Sequence, residues 1–108
     1  MNNTKIKSYV GFAIKSGKIL YGVDMIILSR KKPYIVLIDD NISENSLSKL
    51  QNKLSQYKIE VENVNMEEIF PNKNCKALGI MDRNLAKAII NEVKETRIWV
   101  TMKRLIIM

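Results

Sequence analysis

Lys15 and Lys18 stand either side of Gly17, and Gly22 follows four positions later. Two ammonium groups beside a bare backbone suit one chemistry, the neutralising of phosphates on a polyanion that must come close. Gly17 suits a helix stop, because a residue without Cβ takes the left-handed conformation at little cost. Gly22 suits the opening of the next helix near a partner. Other reactive groups are sparse. Asp39 and Asp40 adjoin after an apolar run, and Tyr21, Tyr34 and Cys75 are scattered. These form no nucleophile–base–orienter set in sequence, so no enzyme is expected. The aspartate pair reads as turn and helix-capping chemistry. Cys75 reads as a small residue that is buried or half-buried.

The totals narrow the classes further. The chain has 108 residues, enough for one domain with one core. It has no histidine and one cysteine, which removes the common zinc ligand sets and any internal disulfide. No cofactor or metal is expected. The absence of a long apolar run argues against a membrane span or signal peptide and for a cytoplasmic setting. Formal net charge is +7. Residues 1–32 hold seven basic side chains against one acidic, and the remainder eleven against ten. Charge alone fits nucleic-acid binding and a merely solvated lysine-rich surface equally well.

The elements that would hold the lysines follow from apolar spacing. Ile6, Tyr9, Val10 and Ala13 predict an amphipathic helix over 4–16. Residues 18–21 predict a short strand. Residues 22–31 predict an apolar helix in which Met25 to Leu28 are core, with Arg30, Lys31 and Lys32 complementing its C-terminal dipole. After Pro33, the unbroken apolar run 34–38 predicts a strand covered on both faces. A third helix, capped by Ser43 or Asn45, buries Leu47, Leu50, Leu54 and Tyr57, with Lys53 on its solvated side. Residues 59–64 predict an edge strand with Glu60 and Glu62 outward. Asn65 caps a short helix over 66–70. A strand over 75–81 contains Gly79, where something approaches closely. Asp82 caps a last helix, with Leu85, Ala86, Ile89, Ile90 and Val93 inward. Residues 1–95 form the domain, and 96–108 form a C-terminal tail, read as an added strand or an outer packing segment. Regular alternation predicts an α/β fold, a three-layer αβα sandwich with a mixed four-stranded sheet and helices on both faces. The sheet's centre is expected to be largely parallel.

Residues 10–18, Val-Gly-Phe-Ala-Ile-Lys-Ser-Gly-Lys, the strand 35–38 with Ser43, Glu44 and Asn45, and residues 77–89 with Asp82, Ala86 and Lys87 carry a resemblance. In this order and spacing the chain resembles the kink-turn-binding ribosomal protein family, the L-seven-Ae and L-thirty-e group, and within it the bacterial YlxQ-like branch. The resemblance covers roughly residues 9–90. It implies a sandwich that grips structured RNA with one edge, as in ribosomal or ribosome-associated particles. Family binders open the second helix with Gly, a variable residue, Asn and Glu, then a lysine three residues later. Those positions fall on Gly22, Val23, Asp24, Met25 and Leu28. Asp24 keeps an acceptor, Met25 cannot bond a guanine edge, and Leu28 makes no phosphate contact. The family's second RNA loop falls on Asn72, Lys73 and Asn74. The RNA-contacting set implied is Lys15, Lys18, Gly22, Val23, Asp24, Lys73 and Asn74. The alternative is a protein-interaction module or homodimer that kept the fold and lost specific RNA recognition, using Met25, Leu28 and the apolar tail around Trp99.

Overall fold

The computed structural model describes residues 3–70 and 75–94. The elements run α1 (Asn3–Lys15), β1 (Ile19–Tyr21), α2 (Val23–Leu28), β2 (Ile35–Asp39), α3 (Glu44–Tyr57), β3 (Glu60–Val64), α4 (Met66–Ile69) and β4 (Ala77–Ile80). A last helix, α5, spans 83–94. The sheet order is β1-β4-β2-β3.

β2 shows why three layers form. Its side chains alternate between two apolar surfaces. Ile35 and Leu37 join Ile6, Val10 and Ala13 of α1 and Ala86, Ile89 and Val93 of α5 on one face. Val36 and Ile38 join Ile26 of α2 and Leu50 and Leu54 of α3 on the other. The unbroken run was read as a strand covered on both sides; this holds for Ile35 to Ile38, whereas Tyr34 stands outside β2 and is 52% exposed. Each fully buried isoleucine or leucine contributes about 1.5–3 kcal/mol relative to exposure.

The direction of the strands corrects one expectation. β4 is antiparallel to both neighbours, pairing Ile80 with Ile19 and with Ile35, and the parallel pair is β2–β3 at the edge. The cause lies in α4. Four helical residues span about 6 Å, too little to carry the chain back along a strand. β4 therefore begins at the end where β3 finished and runs the other way.

Three smaller expectations are also corrected. α2 ends at Leu28, with Ser29 extended, so Arg30 to Lys32 lie beyond its last turn. Ile26 is fully buried, whereas Met25 is 53% and Leu28 78% exposed, because a six-residue helix lying on a sheet has one inward side. Glu62 is buried. It shares a face of β3 with Val64, and that face is covered by the α1 and α5 layer rather than by water. Ser43 caps α3 by accepting the Ser46 amide at 3.2 Å, and Asp82 Oδ1 accepts the Leu85 amide at 3.0 Å at the start of α5.

Gly79 occupies the tight spot foreseen for it. A Cβ there would meet Pro33 Cβ at 3.3 Å, and Ile26 Cγ1 and Leu20 Cβ at 3.4 Å. Gly79→Val is expected to lower stability by about 1–3 kcal/mol through overpacking, measured as a fall in urea midpoint at unchanged slope.

Candidate nucleic-acid interface

The residues proposed from sequence fall at two ends of one short strand. Gly17 has φ +70°, and the chain turns from α1 into β1 there. The Lys18 carbonyl accepts the Met81 amide at 2.9 Å, so Lys18 sits beside the end of β4. Its ammonium lies 3.6 Å from the Asp82 carboxylate, yet its side chain is 57% exposed. The Leu85 amide is the main cause holding the Asp82 carboxyl below its ordinary value; burial opposes, and the Asn84 amide and Lys18 assist. Lys15 is exposed at the last residue of α1.

Gly22, Val23 and Asp24 lie at the other end of β1. The Gly22 amide donates to the Ala77 carbonyl at 2.8 Å, beside the start of β4. From Lys18 to Gly22 is about 13 Å of extended backbone. Gly22 has φ +89° and ψ 163°, a region essentially reserved for glycine. Val23 is half-buried and Asp24 exposed. Lys73 and Asn74 lie outside the described residues, as does the tail 96–108. The structure therefore brings together Lys15 with Lys18, and Gly22 with Val23 and Asp24, but holds the two groups at opposite ends of β1.

The connections at these ends differ in charge. Where β1, β2 and β3 begin, α1 delivers Lys15 and Lys18, the segment after α2 delivers Arg30, Lys31 and Lys32, the end of α3 delivers Lys58, and α5 opens with Arg83. Against these stand Asp82 and Glu60. Where those strands finish, the connections carry Asp24, Asp39, Asp40, Glu44, Glu67 and Glu68 against Lys76 among the described residues. Among the described connections, those at the end that holds Gly22 are thus net acidic and those at the other end net basic.

One contact leaves the basic triplet exposed rather than spent on the helix. Lys53 Nζ donates to the Ile27 carbonyl at 2.7 Å and the Ser29 carbonyl at 2.6 Å, satisfying the C-terminus of α2. Lys53 was placed on the solvated side of α3, which this reach across to α2 corrects; the triplet, assigned to the α2 dipole, lies beyond the last turn of that helix. Arg30, Lys31, Lys32 and Lys58 are exposed and have no ion-pair partner among the described residues. Sequence reading missed Lys58 as an interface candidate and placed Tyr34 and Tyr57 inward; both rings are exposed, which corrects that placement. Only the parallel pairing of β2 with β3 makes their segments neighbours.

The acidic end is built for structure. Asp39 is 5% exposed. Its Oδ1 accepts the Met66 amide at 3.0 Å and its Oδ2 meets Lys76 Nζ at 3.0 Å. This carboxylate caps α4, a duty expected of Asn65, whose side chain makes no such bond. Cys75 is half-buried, its thiol donating to the Ala77 carbonyl at 3.0 Å. Among the described residues no three His, Cys, Asp or Glu side chains gather as metal ligands, and no helix is long and apolar enough to cross a membrane.

The chain is similar to the RNA-binding protein YlxQ of Enterococcus faecium. The two are 29% identical over 91 residues, covering 80% of this chain and 88% of that protein. No family model matches the chain. A solved structure of a Bacillus halodurans protein of unknown function shares the fold, with a TM-score of 0.71 at 19% identity over 81% of this chain and 94% of the other. The α/β sandwich implied by the resemblance in sequence is the fold observed.

Proposed function

We propose that this chain is a non-catalytic RNA-binding protein, acting on structured RNA of the kink-turn-like or ribosomal kind in association with the ribosome. The observation that carries this reading is the gathering of exposed basic side chains from four separate connections at one end of the sheet. The likeness to a protein named for RNA binding supports it. Lys15 and Lys18 serve as phosphate contacts. At the opposite end of β1, Gly22 and Val23 would allow a second close backbone approach and Asp24 would offer an acceptor to a base amine, with Lys73 and Asn74 proposed from the sequence alone. A direct base contact discriminates by about 1–3 kcal/mol, whereas phosphate contacts position without specifying. With Asp24, Met25 and Leu28 at the reading positions, affinity rests mainly on charge.

Lys15→Glu with Lys18→Glu is expected to weaken binding to a kink-turn RNA and to an unrelated hairpin alike. The slope of log affinity against log salt should fall by about 1.5 for two lost phosphate contacts. Filter binding over a salt series measures both, and unchanged affinity for both RNAs overturns the assignment of these lysines. RNA crosslinked to the chain in lysate, once sequenced, identifies the partner.

A second reading has one observation in its favour. Met25 and Leu28, three apart on α2, form an exposed apolar pair. It supports a protein-interaction module or homodimer, and light scattering that finds only monomer removes the homodimer.

A further inference from the structure

The starts of β2 and β3 lie side by side, Ile35 opposite Glu60. The segments leading into them line a cleft of ≈ 180 Å³, formed by Lys32, Pro33 and Tyr34 on one side and Tyr57, Lys58, Ile59 and Glu60 on the other. We infer that this cleft takes an unstacked base of a single-stranded RNA segment, with Tyr34 and Tyr57 as stacking surfaces and Lys32 and Lys58 as phosphate contacts. The inference rests on the RNA-binding reading above and names the RNA feature that its basic end holds.

Four observations carry it. Tyr34 is 52% and Tyr57 45% exposed, so a ring face of each is open to a ligand at the cleft. Base stacking on such rings tolerates any sequence, because every base has a π-face. The rings ride on anchored backbone. The Tyr34 amide donates to the Ile80 carbonyl at 2.9 Å, Pro33 is buried, and the Ile59 amide donates to the Leu54 carbonyl at 3.0 Å. The two lysines are exposed and without ion-pair partners among the described residues. Finally, Lys58 sits at φ 53° and ψ 47°, closing α3 in the left-handed conformation where glycine is the easy choice. A cationic side chain is held there against that preference. Glu60 adds an acceptor at the rim, which suits a ribose hydroxyl or a base amine rather than a phosphate.

The cleft is too small for a drug-sized ligand. The lysines to either side favour a polyanion over a neutral metabolite. Its position, at the end of the sheet opposite Gly22, separates it from Gly22, Val23 and Asp24.

The test uses the full chain and oligouridine of about eight nucleotides, a length one small binding site covers. Anisotropy should show binding, and a 4-thiouridine-substituted oligomer should crosslink to peptides containing Tyr34 and Tyr57. Tyr34→Ala and Tyr57→Ala should each weaken oligouridine about tenfold, and Tyr34→Phe should retain affinity. Both alanine variants should bind a blunt-ended RNA duplex, which has no unpaired base, as the parent does. Lys58→Gly should weaken oligouridine while raising the melting temperature, which separates lost contact from lost folding. Wild-type affinity for oligouridine in Tyr34→Ala, or duplex binding with no oligouridine binding, overturns the cleft and leaves the RNA reading standing. Binding to neither RNA overturns both. Preference for polyglutamate over oligouridine overturns the cleft assignment in favour of an acidic peptide.

Discussion

Asp39→Ala is expected to cost about 2–3 kcal/mol of folding stability at pH 7, a large share of the 5–15 kcal/mol typical of a domain. The cost follows from what the carboxylate touches. Asp39 ends β2, and Oδ1 receives the amide of Met66, a residue itself buried at the first position of α4. Removing the acceptor leaves a buried N–H without a partner, worth about 1–3 kcal/mol. Lys76 contributes less. Its side chain is 47% exposed, so water can take its charge, and that ion pair adds at most about 1 kcal/mol. Asp39→Asn keeps an acceptor for Met66 and loses the charge, so its cost should be about half.

The same residue gives a pH signature. Burial pushes the Asp39 carboxyl upward, and the Met66 amide, Lys76 and the Asn41 amide together outweigh it, leaving the folded value below the ordinary 3.8. A depressed folded pKa contributes stability that is fully present above the unfolded value. It is lost as pH falls through the folded one. The gap in urea midpoint between parent and Asp39→Ala should therefore be steady from pH 7 to about 5 and shrink below about 4. A gap that widened on acidification, or equal midpoints at pH 7, would show that this carboxylate does not tie β2 to α4.

Such ties explain which parts of the molecule were legible in the sequence. The helices α1, α3 and α5 were legible because each presents a one-sided apolar stripe, and such stripes are local. So were the turn at Gly17, the crowding at Gly79 and the caps at Ser43 and Asp82, since each depends on one residue type in one backbone setting. Strand direction was not legible. Alternating helices and strands normally imply parallel neighbours; the shortness of α4 was legible, but the direction of the strand after it is set by pairing with β1 and β2, distant in sequence. Asp39 was read within its own turn, while its partners are 27 and 37 residues away. Lys53 misled for the same reason, since its acceptors lie on α2. The proposed site suffered most. Lys15, Lys18 and Gly22 are close in sequence, and a strand between them places them at opposite ends of the sheet. Arg30 to Lys32 and Lys58 are distant in sequence, and the β2–β3 pairing makes their segments neighbours.

Replacing Arg30, Lys31 and Lys32 together by glutamate is expected to lower RNA affinity about a hundredfold at 0.1 M salt. Three phosphate contacts at about 0.7 per contact give a slope of about 2 in log affinity per decade of salt. Between 1 M, where that contribution has faded, and 0.1 M it amounts to about two powers of ten. The parent and the triple variant should therefore converge as salt approaches 1 M. Folding should report the opposite. The triplet lies past the end of α2, exposed, and Lys53 already satisfies the carbonyls of Ile27 and Ser29. The triple variant should unfold within about 0.5 kcal/mol of the parent, as exposed substitutions do. Lys53→Met should behave inversely, losing about 1–2 kcal/mol because two carbonyls lose a charged donor, with RNA affinity kept. If the triplet instead served the α2 dipole, the triple variant would be the destabilised one and its RNA affinity would stay level across the salt series. Those two outcomes together would assign the positive charge around α2 to separate tasks, Lys53 to holding the helix and the triplet to meeting phosphate.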